Sequence, residues 1–144
     1  MTYHVEAYYA SSHRDAPELL ATPEDVDALI DTLLSMPDTH RVAALFVAER
    51  VDPDTGFPDH ELYLAVNGDA GVGALKYADP AGNWASSGRP ETQSGAGGYR
   101  MIHERIPFPA NSDIPLDLAR QAVKEFLSGG RRPGCVPWQE DAYL

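Results

Sequence analysis

Apolar and polar residues alternate along YHVEAYY, residues 3–9. Tyr3, Val5, Ala7 and Tyr9 fall on one side, and His4, Glu6 and Tyr8 on the other. A period of two is the signature of a half-buried strand. After the polar stretch SSHRDAPE, which reads as a loop, the period changes. In TPEDVDALIDTLLSMP, Val26, Leu29, Ile30, Leu33 and Leu34 recur at i, i+3, i+4, i+7 and i+8, one face of a helix. Thr22 suits the N-cap, Pro23 the first helical position, and Asp25 stands three residues after the cap. Pro37 stops the helix. Glu24, Asp27 and Asp31 lie off the apolar stripe with no base beside them, so this helix is expected to bury one side and show an anionic other side.

RVAALFVAE, 41–49, is a continuous apolar run suited to a buried central strand. RVDPDTGFPDH, 50–60, reads as a long loop with two prolines. HELYLAV, 60–66, alternates again, with Leu62, Leu64 and Val66 on one side. Asn67-Gly68 signals a tight hairpin, and GVGALKYA, 71–78, is its returning strand. Residues 79–98 are rich in Gly, Ser, Pro and Asn and predict a loop with one short strand around Trp84. Within it, Asp79-Pro80-Ala81-Gly82 has the composition of a turn. YRMIHERIPF, 99–108, alternates and predicts a strand. LDLARQAVKEFLSGG carries a helical stripe of Leu118, Ala122, Val123 and Phe126, and Gly129-Gly130 is a helix-ending signal. The tail RRPGCVPWQEDAYL is turn-rich.

The order is β-α-β-β-β-(loop)-β-α-tail. Short turns between successive strands imply a mostly antiparallel sheet. The pattern predicts an α+β fold: a sheet of about five strands with two helices packed on one face. With 144 residues, no internal repeat and no dividing linker, the chain is expected to form a single domain over 1–144.

Charge sharpens this picture. Residues 15–69 carry 13 acids against two bases, Arg41 and Arg50, a net −11 that equals the whole chain's net charge. Such an imbalance repels nucleic acid and anionic membranes and attracts a basic partner. It also describes an ordinary soluble acidic surface. No basic segment followed by an apolar run opens the chain, and no apolar run nears the roughly 20 residues of a membrane span. The expected location is cytoplasmic, with no nucleic-acid or membrane partner.

Candidate chemistry is sparse. The glycines of Gly68-Asp-Ala-Gly71-Val-Gly73 join two strand-like runs, whereas a phosphate cradle should follow a strand and open a helix. His4, His13, His40, His60 and His103 share no metal-ligand spacing, and no metal or cofactor is expected. Ser86, Ser87, Ser94 and Cys135 are the available nucleophiles, none in a strand-to-helix elbow. Cys135 reads as a small packing residue. No catalytic residue is expected. Trp84 suits a core anchor better than an exposed contact, since large aromatics are highly buried on average, while Asp79, Asn83, Ser86 and Ser87 around it are polar enough to remain exposed.

GVGALKYADPAGNWASSG, together with the helix and tail AVKEFLSGGRRPGCVPW, resembles the first Imm family of bacterial immunity proteins, found in polymorphic toxin systems. The resemblance spans about residues 22–138 and rests on the Tyr77…Trp84…Gly88 and Phe126…Pro133…Trp138 spacings. The resemblance implies a small cytoplasmic α+β protein, without catalytic residues, that binds and silences a cognate toxin, often a nucleic-acid deaminase. It implies that Tyr77, Trp84, Gly88, Phe126, Pro133 and Trp138 serve the fold. An acidic protein of this kind would occupy the basic cleft of a toxin that must hold a polyanion. The expected contacts are Asp52, Asp54, Asp59, Glu61, Asp27, Asp31, Asp79 and Asn83, with the 50–60 loop ranked first because long loops more often carry function. Two further readings stand beside this one: a module binding a small molecule or peptide in a pocket under the 79–98 loop, and a minor hydrolase.

Overall fold

Residues 3–88 and 98–141 of the computed structural model are described here. Ser94 and residues 89–97 of the predicted loop lie outside them.

The alternating pattern at the N-terminus forms β1 (Val5–Tyr8), which runs antiparallel to β2 (Glu18–Leu20) on one side and β3 (Val42–Val47) on the other. β4 (Glu61–Asn67) and β5 (Val72–Asp79) form the hairpin signalled by Asn67-Gly68, with seven residue pairs from Glu61↔Ala78 to Asn67↔Val72. Asn67 is itself paired with Val72, so the loop is the four residues 68–71, with the positive φ at Gly71, and not a two-residue turn at Asn67-Gly68. A tight turn at Pro80-Ala81 leads to β6 (Gly82–Ser86), whose far edge pairs with β10 (Trp138–Glu140). The strand order is β10-β6-β5-β4-β3-β1-β2, with β9 (Ile114–Pro115) added beside the start of β5, and every pairing is antiparallel. Among the described residues the sheet therefore has eight strands, not about five. The 99–108 segment counted among the five is not in this sheet; β6 is the short strand expected around Trp84, and β2, β9 and β10, which the pattern does not predict, are two or three residues long with remote partners that local periodicity does not reveal.

Helix α1 (Pro23–Ser35) starts as the sequence predicts. Thr22 Oγ1 accepts from the Asp25 N–H at 3.2 Å, and Asp25 Oδ2 accepts from the N–H groups of Ala21 and Thr22 at 2.8 and 3.0 Å. These backbone bonds, that from Ala21 foremost, hold the Asp25 carboxyl below its ordinary range. Helix α2 (Leu116–Gly129) ends at Gly130, whose φ of +66° is the left-handed value that glycine adopts freely. α2 buries Ala119, Ala122, Val123, Phe126 and Leu127, while Leu118 of the predicted stripe is only half-buried.

Both helices cover one face of the sheet, where Val5, Ala7, Leu45, Leu62, Leu64, Leu75 and Tyr77 meet Val26, Leu29, Ile30, Leu33, Val123 and Phe126. A smaller cluster lies on the other face, where Tyr99 and Ile106 pack on Val42, Ala65 and Ala74. This second cluster corrects the prediction for 99–108. The segment is a hairpin, β7 (Arg100–Met101) and β8 (Glu104–Arg105), that turns at Ile102 and His103, with φ of +50° and +73°. A two-residue turn shifts parity: Met101 pairs with Glu104, so odd-numbered Tyr99 and even-numbered Ile106 come to share one face, a switch that a single continuous strand would not allow.

A candidate partner-binding surface at one end of the sheet

Antiparallel register sorts the connections to two ends. Val47 pairs with Val5 and Val5 with Leu20. Glu61 pairs with Ala78, and Asp79 with Gly82. The 48–60 loop, the start of β1, the end of β2 and the Pro80-Ala81 turn therefore share one end. The C-terminus of α2 joins them, because Arg50 Nη1 donates to the Gly130 carbonyl at 3.3 Å. Topology thus gathers Asp52, Asp54, Asp59, Glu61, Asp79 and Asn83 from separate segments into one region.

Asp27 and Asp31 sit apart, on α1. Asp31 is exposed. The expectation that no base accompanies this acidic side is corrected at Asp27: Arg120 Nη1 and Lys124 Nζ of α2 reach its carboxylate at 2.8 and 3.1 Å. Those hydrogen bonds, Arg120's first, hold the Asp27 carboxyl below its usual range. The bases came from α2 one turn apart, a match that spacing within α1 could not reveal.

The 48–60 loop is an ordered extension of the β3–β4 pair. Val51 and Pro58 form an isolated bridge, and the Asp52 N–H donates to Phe57 O at 2.9 Å. The Gly56 N–H donates to Asp52 O at 2.8 Å, and Asp52 Oδ1 accepts from the Asp54 N–H at 2.9 Å. Gly56 has φ of +75°, a turn geometry that a side chain would strain.

A polar network ties the base of this loop to the core. Buried His60 accepts the Val47 N–H on Nε2 at 2.8 Å, and its Nδ1 lies 3.1 Å from Asp59 Oδ1. An accepting Nε2 carries no proton, so Nδ1–H is the donor and the ring is neutral. Burial lowers the His60 pKa, against the opposing pull of Asp59. Asp59 also binds Arg50 Nε at 2.8 Å, and Arg50 Nη1 donates to Tyr77 Oη at 3.0 Å. Burial raises the Asp59 pKa, but the hydrogen bond from His60 and the Arg50 charge outweigh it and the net shift is downward. Asp59 is thus a bonded member of the loop base. Asp52 is half-buried and uses one oxygen on its own loop, and Asp54 is exposed.

Phe57 is 71% exposed, Leu19 57% and Val51 47%. These three are the large exposed apolar side chains among the described residues, and all belong to this end: Leu19 lies in the row Leu19–Glu6–Phe46 set by the register. Sequence reading ranked the acids of this loop and passed over Phe57 and Val51. The available signal was an aromatic residue in a Pro- and Gly-rich loop with no periodicity to bury it.

Glu61 and Tyr63 share a hydrogen bond, and burial raises the Glu61 pKa. Asp79 Oδ1 accepts from the Ala81 N–H at 2.8 Å, closing the turn. Asn83 borders a cavity of about 50 Å³ that Lys76, Trp84 and Asp141 also line. Ligand pockets run to roughly 300–1,000 Å³, so this space suits a few waters.

Of the six anchor residues, Trp84 and Trp138 flank Arg132. Its guanidinium lies 4.1 Å from the Trp84 ring centroid and 5.9 Å from that of Trp138. Trp138 Nε1 donates to Pro133 O at 2.8 Å. Tyr77 packs against Trp84 and Phe126, at 6.2 and 6.4 Å between centroids. Both tryptophans are half-buried. Gly88 touches the β9 approach so closely that a Cβ would lie 1.7 Å from Asp113 O.

Two of the candidate nucleophiles, Ser86 and Cys135, are held structurally, and Ser86, expected to remain exposed, is buried. Ser86 Oγ accepts from the Leu75 N–H at 3.0 Å and donates to Ser112 O at 2.6 Å. Burial, aided by the Glu125 carboxylate, pushes the Cys135 thiol up to about 11, far from a thiolate. Among the described residues, no three His, Cys, Asp or Glu side chains cluster in a way that could hold a metal ion. No helix among them is long and apolar enough to cross a membrane.

The family model described as immunity protein Imm1 matches residues 14–140, most of the chain. No curated protein matches it.

Proposed function

The chain belongs to the Imm1 family of immunity proteins, and from that premise we propose that it binds a cognate bacterial toxin and neutralises it by covering the toxin's active site. The observation that carries the placement is the loop end of the sheet. There Asp52 and Asp54 are presented beside exposed Phe57 and Val51 on a loop whose base is locked. A net charge of −11 fits a basic counter-surface. A toxin that acts on nucleic acid, such as a deaminase, must hold a polyanion and so offers such a surface. Acids drawn to that cleft speed encounter and exclude substrate. The protein acts here by binding alone, in the cytoplasm where the toxin would act, with no cofactor and no catalytic group of its own.

The test is co-expression with the toxin domain encoded beside this chain. Growth should be restored, and the two proteins should form a stoichiometric complex with Kd of about 1 nM or tighter, near −12 kcal/mol. A toxin domain that stays lethal and unbound would overturn the proposal.

A further inference from the structure

We infer that Phe57 is the anchor of the toxin interface, entering an apolar pocket whose rim bears lysine or arginine that pairs with Asp52 and Asp54. This rests on the immunity reading and goes beyond it by naming the contact and the chemistry of the surface that receives it.

Four observations support it. Phe57 is the most exposed of the three large exposed apolar side chains, at 71%, and Val51 beside it is also exposed. An aromatic ring left in water gives the fold little, and exposed apolar surface rimmed by polar groups marks contact sites. The loop holds its shape: the Asp52 N–H to Phe57 O bond, the Gly56 N–H to Asp52 O bond and the Phe57 N–H to Thr55 Oγ1 bond at 3.2 Å cross it. Its foot is fastened by Arg50, Asp59 and His60. A ring presented on a pre-ordered tip loses little freedom on binding, and aromatic anchors in desolvated pockets dominate interface energetics.

The flanking carboxylates select the occupant. A second copy of this chain would set Asp52 and Asp54 against the same acids, within two molecules of net charge −11 each. A partner with a basic rim meets them with opposite charge.

The experiment compares the parent, Phe57→Ala, Phe57→Leu and the pair Asp52→Asn with Asp54→Asn, each against the toxin domain encoded beside this chain, by stopped-flow and dissociation kinetics at two ionic strengths. Phe57→Ala should weaken binding at least 30-fold, almost wholly through a faster off-rate, with the parent's salt dependence and the parent's urea midpoint. Phe57→Leu should recover part of the loss. The double Asn variant should associate more slowly and with a flatter salt slope. Hydrogen exchange on the parent complex should protect amides 52–57. Parent-like dissociation by Phe57→Ala, or unprotected amides 52–57 in a formed complex, would overturn the anchor and leave the immunity reading standing. A Phe57-dependent dimer of the free chain in light scattering would assign the ring to a second copy and overturn the inference. A parent that binds no toxin refutes the immunity reading itself, before any variant is made.

Discussion

Changing Asp59 to Ala removes two interactions of unequal weight. His60 is fully buried at the side chain, and its Nδ1–H would lose its acceptor. An unsatisfied buried donor costs about 1–3 kcal/mol. Arg50 would lose its carboxylate, but that ion pair is 29% and 34% exposed on its two sides, and Arg50 keeps Tyr77 Oη and Gly130 O. Solvent screening limits this second loss to about 0–1 kcal/mol. The total is about 1–4 kcal/mol, or about 4–16 °C in Tm at about 4 °C per kcal/mol for a chain of this size. Asp59→Asn separates the parts. Its amide oxygen still accepts from His60, so it should cost about 1 kcal/mol. Urea midpoints of the three proteins at pH 7.5 decide the matter. Equal losses in Ala and Asn would show that charge governs, not acceptance. No loss in Ala would refute the network. The direction with pH follows from the neutral ring. The folded pKa of His60 lies below the ordinary 6.5, so the unfolded chain takes up the proton first. The contribution of His60 is therefore constant above pH about 6.5 and declines as pH falls below it toward the folded pKa. That of Asp59, whose pKa is lowered, persists above the ordinary carboxylate range and is lost as pH falls through its folded pKa. Neutralising Asp59 together with Asp52 and Asp54 would thus confuse steering with folding, because only Asp59 serves the loop base.

Gly88→Ala should cost about 3 kcal/mol or more by chemical denaturation, since its Cβ would overlap backbone at Asp113 and the chain must shift. A change under about 1 kcal/mol would show that the two segments separate easily. Trp84→Ala should cost about 2–3 kcal/mol, less than a fully buried tryptophan, because the ring is half-buried and its main polar partner is the Arg132 cation. Toxin binding that fails while stability holds would move Trp84 to the interface. Thr22→Ala should cost about 1 kcal/mol by removing the α1 cap, measured as the urea midpoint at pH 7.

Periodicity and caps carried the α+β class, both helices, the Asn67-Gly68 hairpin and the central strands, because those elements are long enough to repeat a pattern and have local stop signals. The family resemblance was likewise legible in the Gly71–Gly88 and Ala122–Trp138 segments. The 50–60 loop was singled out for its length and acids. What sequence could not show is who meets whom. Asp27 gains Arg120 and Lys124 from a helix 93 and 97 residues away. Asp59 stops being a free surface acid only because Arg50 and His60 flank it on a closed β3–β4 pair. β10 exists because β6 leaves an edge that Trp138–Glu140 can reach. Phe57 is conspicuous only once the core is full and the ring is seen outside it. Local sequence determines backbone preference over a few residues, where the interactions are near in the chain. Pairing of charges, satisfaction of buried donors and the exposure of a given ring depend on distances set by strand register and helix packing, which no local pattern contains.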